Sequence, residues 1–230
     1  MTHDPQRAKD YFDALAPDYD RAFRGEKGGW LETLVNRWFR GPTFVRRMEL
    51  LDRLLRAEAL DGGSVLDLGC GSGQVSLLAA SLGARVHGID IAPRMLEIAR
   101  ASAARAGLAE RVTFVEGDVA TAALPPADLV LLVGVIEYYR DFVPLVVRAA
   151  AATRRTLMIA HTRRVLHRML LRKALFAWQR SRVYFHPMKE VIAAGRAAGL
   201  SMREERKEGG FSLLVFSHDD ATRPHVTARA

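Results

Sequence analysis

Apolar positions along this chain follow two different spacings, and the switches between them divide it into three parts. From residue 1 to about 61 the spacing is helical. Asp4 can cap a helix and Pro5 suits its first position. That helix should stop near Ala16, because a residue before proline avoids helical angles. Pro42 opens a longer helix in the same way, with Phe44, Met48, Leu51 and Leu55 on one face. From 64 to 160, short apolar runs alternate with helical stretches. The pattern predicts strands at 64–68, 85–89, 112–115, 128–133 and 156–160, and helices at 74–82, 93–106 and 142–152. The run at 128–133 is nearly all apolar, as expected for a strand buried on both faces. In the last part, 163–182 and 187–198 read as helices. Residues 200–206 and 211–217 read as two strands joined by Glu208-Gly209-Gly210, an antiparallel hairpin.

Strands alternating with helices of this length imply βαβ units and a parallel sheet. The expected fold is therefore α/β and doubly wound. Its seven-stranded sheet is mostly parallel, ends in a C-terminal antiparallel hairpin and carries a helical insertion before the last strands. The expected divisions are a helical segment at 1–61, a core at 62–218 with its insertion at 162–182, and a disordered tail at 219–230, where no core face is left.

Composition narrows this modestly. The chain has 230 residues, 49% of them hydrophobic, enough for one well-buried core. Its one cysteine, Cys70, excludes a disulfide framework within the chain and fits a reducing cytoplasm. The start, MTHDPQRAKDYF, has no apolar run and is no signal peptide. The longest apolar stretch, 129–136, is far short of the ~20 residues that a membrane helix needs. A soluble, cytoplasmic protein is expected. The formal net charge of +8 suits three situations: an arginine-rich surface, an anionic substrate or carrier, and a membrane surface or nucleic acid. Net charge alone does not choose among them.

The chemistry gathers around Val65-Leu66-Asp67-Leu68-Gly69-Cys70-Gly71-Ser72-Gly73, a strand running through a glycine-rich turn into a helix. Glycines let the backbone bend sharply and let a ligand approach it. Asp90 ends the second strand about 20 residues on, where an acid can accept both hydroxyls of a ribose. Asp118 follows the third strand, where a carboxylate can take the exocyclic amino group of an adenine with Val119 beside the ring. A helix N-cap is the other reading of Asp90, and a turn residue that of Asp118. A nicotinamide dinucleotide is disfavoured. The turn reads Gly-x-Gly-x-Gly, there is no second domain for a hydride acceptor, and Asp118 has no role in such a site.

These residues resemble the class I S-adenosylmethionine-dependent methyltransferase family: VLDLGCGSG at 65–73, GIDIAPRML at 88–96, VEGDV at 115–119 and ADLVLLVGVIEYY at 127–139. The resemblance covers roughly residues 60–160, and the closing hairpin is similar too. It implies S-adenosylmethionine as cofactor and S-adenosylhomocysteine as product. It further implies that 67–73, with Asp67, Gly69, Cys70, Gly71 and Gly73, holds the methionine moiety, Asp90 the ribose and Asp118 the adenine. Ile91, Met95, Gly117, Val119 and Val133 are then further cofactor neighbours. The stretch YFDALAPDYD at 11–20 resembles the leading helix that folds over the cofactor as a lid in many small-molecule methyltransferases. Tyr11, Phe12 and Tyr19 would close that site, or simply pack the helix onto the core.

Ligands in open α/β sheets bind at the carboxyl ends of the strands. The acceptor candidates are therefore Glu137, Tyr138 and Tyr139 after the fourth strand and His161 after the fifth. His161 is the first choice of base, since its reference pKa lies near neutrality; a hydrogen-bonded scaffold histidine is the other reading. His186 is a weaker candidate. The segment 163–182 has seven Lys or Arg and no acid. It suits a peripheral membrane helix, a substrate cap whose arginines meet an anion or an acidic carrier protein, or a core helix with a basic outer face. No metal constellation and no nucleic-acid module is recognised. The expected activity is methyl transfer to an oxygen or nitrogen of a small apolar or anionic molecule. The alternatives are a methyltransferase for RNA or protein, and a noncatalytic protein that keeps the cofactor fold and binds a membrane or a partner through 163–182.

Overall fold

The computed structural model describes residues 6, 8–14, 16, 41–162, 184–208 and 210–218. Expectations for Tyr19, for 163–182 and for the tail from 219 lie outside the described residues. Residues 8–14 and 16 are helical. Five further helices follow: α1 (Gly41–Ala57), α2 (Gln74–Ser81), α3 (Pro93–Arg105), α4 (Val143–Ala152) and α5 (Met188–Ala197). Seven strands, β1 (Ser64–Leu68), β2 (Arg85–Asp90), β3 (Val112–Glu116), β4 (Ala127–Val133), β5 (Thr153–Thr162), β6 (Ser201–Glu208) and β7 (Phe211–Ser217), form one sheet in the order β3-β2-β1-β4-β5-β7-β6. The first five are parallel, and β7 runs antiparallel to both β5 and β6.

Alternation along the strands builds two cores. Leu66, Leu68, Val130, Leu132, Leu157, Ile159 and Phe216 face α4 and α5. Val65, Leu129, Leu131, Met158 and Val215 face α1 and α2. Side chains in a strand point to opposite faces in turn, so both sets must be apolar when helices cover both sides. The expected stripe on α1 is used: Leu51 and Leu55 are fully buried. The helix α3 packs beside α2, through Leu96, Ala99 and Ala103 against Phe114 of β3.

Several boundaries differ from expectation by one to three residues, and two have a clear cause. β5 begins at Thr153, three residues early, because Thr153 pairs with Ala127 before a bulge in β5, which carries one extra residue before Thr156 meets Leu129. The exposed Arg154 and Arg155 interrupt the apolar run there and hide the pairing from the sequence. β6 runs on to Glu208, which pairs with Phe211, so the hairpin loop is two residues long rather than three.

The strand order reverses between β1 and β4, which leave the centre of the sheet in opposite directions. In open α/β sheets ligands bind outside the carboxyl ends of the strands at such a reversal. The glycine turn after β1 stands at that position.

Candidate functional site

The turn between β1 and α2 is hooked to β2: the N–H groups of Gly69 and Cys70 both donate to the Ile89 carbonyl, at 2.7 and 3.1 Å. Gly69 has φ +71°, and a Cβ there would lie 2.6 Å from Cγ2 of Val135, so the turn sits tightly under the end of β4. Gly71 has φ +53° and is the opposite case. Among the described residues a Cβ there would meet nothing within 4 Å, which leaves space on this side of the turn. Gly73 begins α2 with a left-handed backbone.

Three acids surround the turn. Asp67 is buried in β1, and its Oδ2 accepts from the Ser76 hydroxyl at 2.6 Å. Burial pushes its carboxyl up to about 6, against the Ser76 bond and with help from nearby Asp90. Asp90 ends β2. One of its oxygens accepts from the Gly71 N–H at 2.7 Å and the other from the Ala92 N–H at 2.9 Å. Burial raises its pKa, and the surrounding backbone N–H groups oppose that. Asp90 thus belongs to the glycine turn as well as to the entry of α3, and a carboxylate has capacity for more donors. Asp118 follows β3, where its Oδ1 accepts from the Ala120 N–H at 2.9 Å and from the Tyr139 hydroxyl at 3.1 Å. Gly117 donates its N–H to the Asp90 carbonyl at 2.9 Å, which ties the two acidic corners together. Val119 and Met95 are buried and Ile91 and Val133 half-buried around the same corners, while Cys70 is half-buried with its thiol pushed up by burial.

The leading helical stretch lies across these strand ends. Tyr11 packs on Ala92, Met95 and Ile98 at the start of α3. The Phe12 ring meets that of Tyr138 edge-on, with centroids 5.0 Å apart. The Lys9 ammonium donates to Glu116 at 2.6 Å, and Asp13 accepts from the Arg94 N–H at 3.2 Å. Four side chains within five residues (a cation, two aromatics and an acid) therefore fix this stretch to the end of β3, the start of α3 and the turn after β4.

The acceptor side is built around a single 3-10 turn, Ile136–Tyr138. Glu137 is buried, its Oε1 accepts from the Thr162 N–H at 2.7 Å, and its Oε2 is buried without a hydrogen-bond partner among the described residues. The carbonyl of Glu137 accepts from the Tyr184 N–H at 2.7 Å. One residue thus holds Thr162 and Tyr184, which flank 163–183. His186 is buried, and its Nε2 reaches the carbonyls of Ile136 and Tyr139 at 3.1 and 2.9 Å. Carbonyls only accept, so Nε2 carries the proton. His161, at the end of β5, is buried with Nε2 3.5 Å from the thioether of Met188.

The structure thus brings Asp67, Asp90, Asp118 and the glycines together, and places Tyr11 and Tyr138 over them. Glu137 and His161 stand at the end of the neighbouring strands, near α5. Sequence reasoning missed two groups. Arg47 of α1 places its Nη1 3.5 Å from where a Cβ on Gly134 would stand, at the end of β4 beside the glycine turn. Its signal was a charge four residues before Leu51, on the margin of an apolar stripe. The bond from Tyr139 to Asp118 was the other, and two residues 21 apart on different loops leave no local signal. Among the described residues no group of three or more His, Cys, Asp and Glu is placed to hold a metal ion, and no helix is long and apolar enough to cross a membrane.

A doubly wound sheet with a glycine turn and flanking acids at its switch point defines a nucleoside-binding Rossmann-like protein. Residues 65–157 match the family model described as a methyltransferase domain. A ubiquinone biosynthesis O-methyltransferase from Methylobacterium sp. is 38% identical over 100 residues, which cover 44% of this chain and 40% of that protein. The chain thus spans about 40% of the length of that relative. Among solved structures, magnesium protoporphyrin IX methyltransferase from Synechocystis, with bound SAH, superposes with a TM-score of 0.76 at 21% identity, covering 94% of this chain and 100% of that one. The [4+2]-cyclase SpnF has a TM-score of 0.68 at 14% identity, covering 95% of this chain and 97% of that one. The same shape is thus shared with a protein named for a different reaction, and function has to be argued from the site.

Proposed function

We propose that this protein transfers the methyl group of S-adenosylmethionine to an oxygen or nitrogen of a small apolar or anionic acceptor. The observation that carries it is the trio of a glycine turn open at Gly71, Asp90 bonded to that turn, and Asp118 at the next strand end. This donor and acceptor set fits the cofactor. Asp90 takes the ribose hydroxyls, Asp118 takes the adenine amino group beside Val119, and the turn from Asp67 to Gly73 holds the methionine end. The Arg47 guanidinium suits the methionine carboxylate, and buried Asp67 and Asp90 favour the positive charge of the sulfonium and ammonium groups. Bound there, the cofactor supplies a methyl group already activated on sulfur.

The chain's own residues then position and exclude. Tyr11 and Phe12 close the cofactor side against water as the inner face of a lid. Glu137, Tyr138 and His161 border the acceptor side, where a base within hydrogen-bond reach can take the proton of a hydroxyl or amine. Holding an acceptor in line is the larger effect, on the order of 7–11 kcal/mol of barrier lowering. The relatives named for ubiquinone biosynthesis and for ajmaline support a small acceptor, and those named for ribosomal protein L11 favour a protein acceptor. A cytoplasmic protein that meets an anionic molecule or carrier through 163–182 is the matching expectation for partners.

Calorimetry with S-adenosylmethionine and S-adenosylhomocysteine tests the assignment on wild type and Asp90→Ala. Binding to wild type that Asp90→Ala abolishes supports it. A well-folded wild type that binds neither ligand overturns it.

A further inference from the structure

We propose that Tyr139 is a specificity-determining residue that makes Asp118 selective for a 6-amino purine. The inference rests on the cofactor assignment above and gives Tyr139, which the sequence offers only as an acceptor candidate, a role on the cofactor side. Its basis is geometric. The Tyr139 hydroxyl donates to Asp118 Oδ1 at 3.1 Å, and the Ala120 N–H donates to the same oxygen at 2.9 Å. Two donors on one oxygen fix the plane of the carboxylate. An ionised carboxylate only accepts, so in that form it welcomes an N–H of an adenine amino group and repels the carbonyl oxygen of a 6-oxo purine.

Tyr139 is itself held at both ends. Its backbone carbonyl accepts from His186 Nε2 at 2.9 Å, and the same nitrogen reaches the Ile136 carbonyl. The ring is buried in the core with Val119 and Phe142. The His186 imidazole packs on Phe142 with ring centres 4.3 Å apart, which closes the support from behind. Burial, with the Asp118 charge, pushes the phenol pKa further above its usual 10, so the hydroxyl stays a donor throughout the working range of pH. A phenol whose only task were packing would be served equally well by phenylalanine. The hydroxyl is the part that needs Asp118.

The test compares two ligands, S-adenosylhomocysteine and its 6-oxo counterpart S-inosylhomocysteine, by calorimetry on the full chain. Wild type should prefer the amino ligand by about 100-fold, the scale expected when a charged acceptor meets a carbonyl instead of a donor. Tyr139→Phe should weaken S-adenosylhomocysteine about tenfold and leave S-inosylhomocysteine within about twofold, so that selectivity falls about tenfold. In an Asp118→Ala background, Tyr139→Phe should weaken S-adenosylhomocysteine no further, because the proposed selectivity acts through that carboxylate. Equal weakening of both ligands, or losses that add in the double variant, would show a packing role and overturn the inference. Unchanged selectivity in Tyr139→Phe would do the same. A wild type that binds neither ligand would instead remove the cofactor assignment, and this inference with it.

Discussion

Asp67 offers a prediction whose size follows from its surroundings. It is buried inside β1, and burial lifts its carboxyl from 3.8 to about 6. A raised carboxyl pKa means that the fold prefers the protonated form. The associated stability is therefore present at acid pH and is lost as pH rises from about 4 through about 6, the reverse of a salt-bridged acid. At roughly 1.4 kcal/mol per pH unit, the penalty reaches about 3 kcal/mol above pH 7. Asp67→Asn is neutral at every pH and still offers an oxygen to the Ser76 hydroxyl. Its new amide adds an offset of its own, but that offset does not titrate. The quantity to measure is the stability of Asp67→Asn relative to wild type, by urea denaturation at pH 4.5 and at pH 8. The difference should grow in favour of Asn by about 2 kcal/mol between the two, equivalent to about 4–8 °C in Tm. Parallel pH curves would refute the reasoning, because they would mean that Asp67 titrates alike folded and unfolded. The same substitution should weaken the binding of S-adenosylmethionine, since it removes a negative charge beside the place proposed for the sulfonium end.

Two other variants examine the scaffold around the turn. Gly69→Ala places a Cβ 2.6 Å from Cγ2 of Val135 at φ +71°, and should lower stability by about 2–4 kcal/mol in urea denaturation. Adding Val135→Ala relieves the collision but not the backbone strain, so recovery should be partial. Leu51→Ala removes a fully buried side chain from the α1 face and should lower stability by about 2–5 kcal/mol; a change under about 0.5 kcal/mol would show that α1 contributes little to the core.

The half of the molecule that binds the glycine turn was legible because its signals are local. A strand, a tight turn and a helix lie in sequence, and Asp90 and Asp118 mark the ends of successive strands. The mostly parallel sheet followed from the alternation of helix and strand, and the closing hairpin from its glycine turn. What stayed hidden depends on distance along the chain. The start of β5 is masked by Arg154 and Arg155, whose exposed side chains read as loop until Ala127 is seen opposite Thr153. His186 reads as a weak acceptor candidate, and the structure shows its ring nitrogen committed to two backbone carbonyls. Neither this, nor the reach of Arg47, nor the Tyr139 bond has a pattern in any window of residues. Asp118 keeps the turn role weighed beside its ligand role, accepting the Ala120 N–H two residues on, whereas Asp90 accepts from the Ala92 N–H but is not the N-cap of α3, which is Ala92.

The double hold of Glu137 on Thr162 and Tyr184 has a consequence for how such a protein can change over generations. Two hydrogen bonds to one residue bring the flanks of 163–183 to a common neck. Lengthening a chain between two fixed points costs little, roughly 0.6 kcal/mol for each doubling. The stretch between the flanks is therefore a cassette. It can be lengthened, shortened or traded for another sequence while Asp67, Asp90 and Asp118 stay where they are, so that a new acceptor preference can arise without rebuilding the half that handles the cofactor.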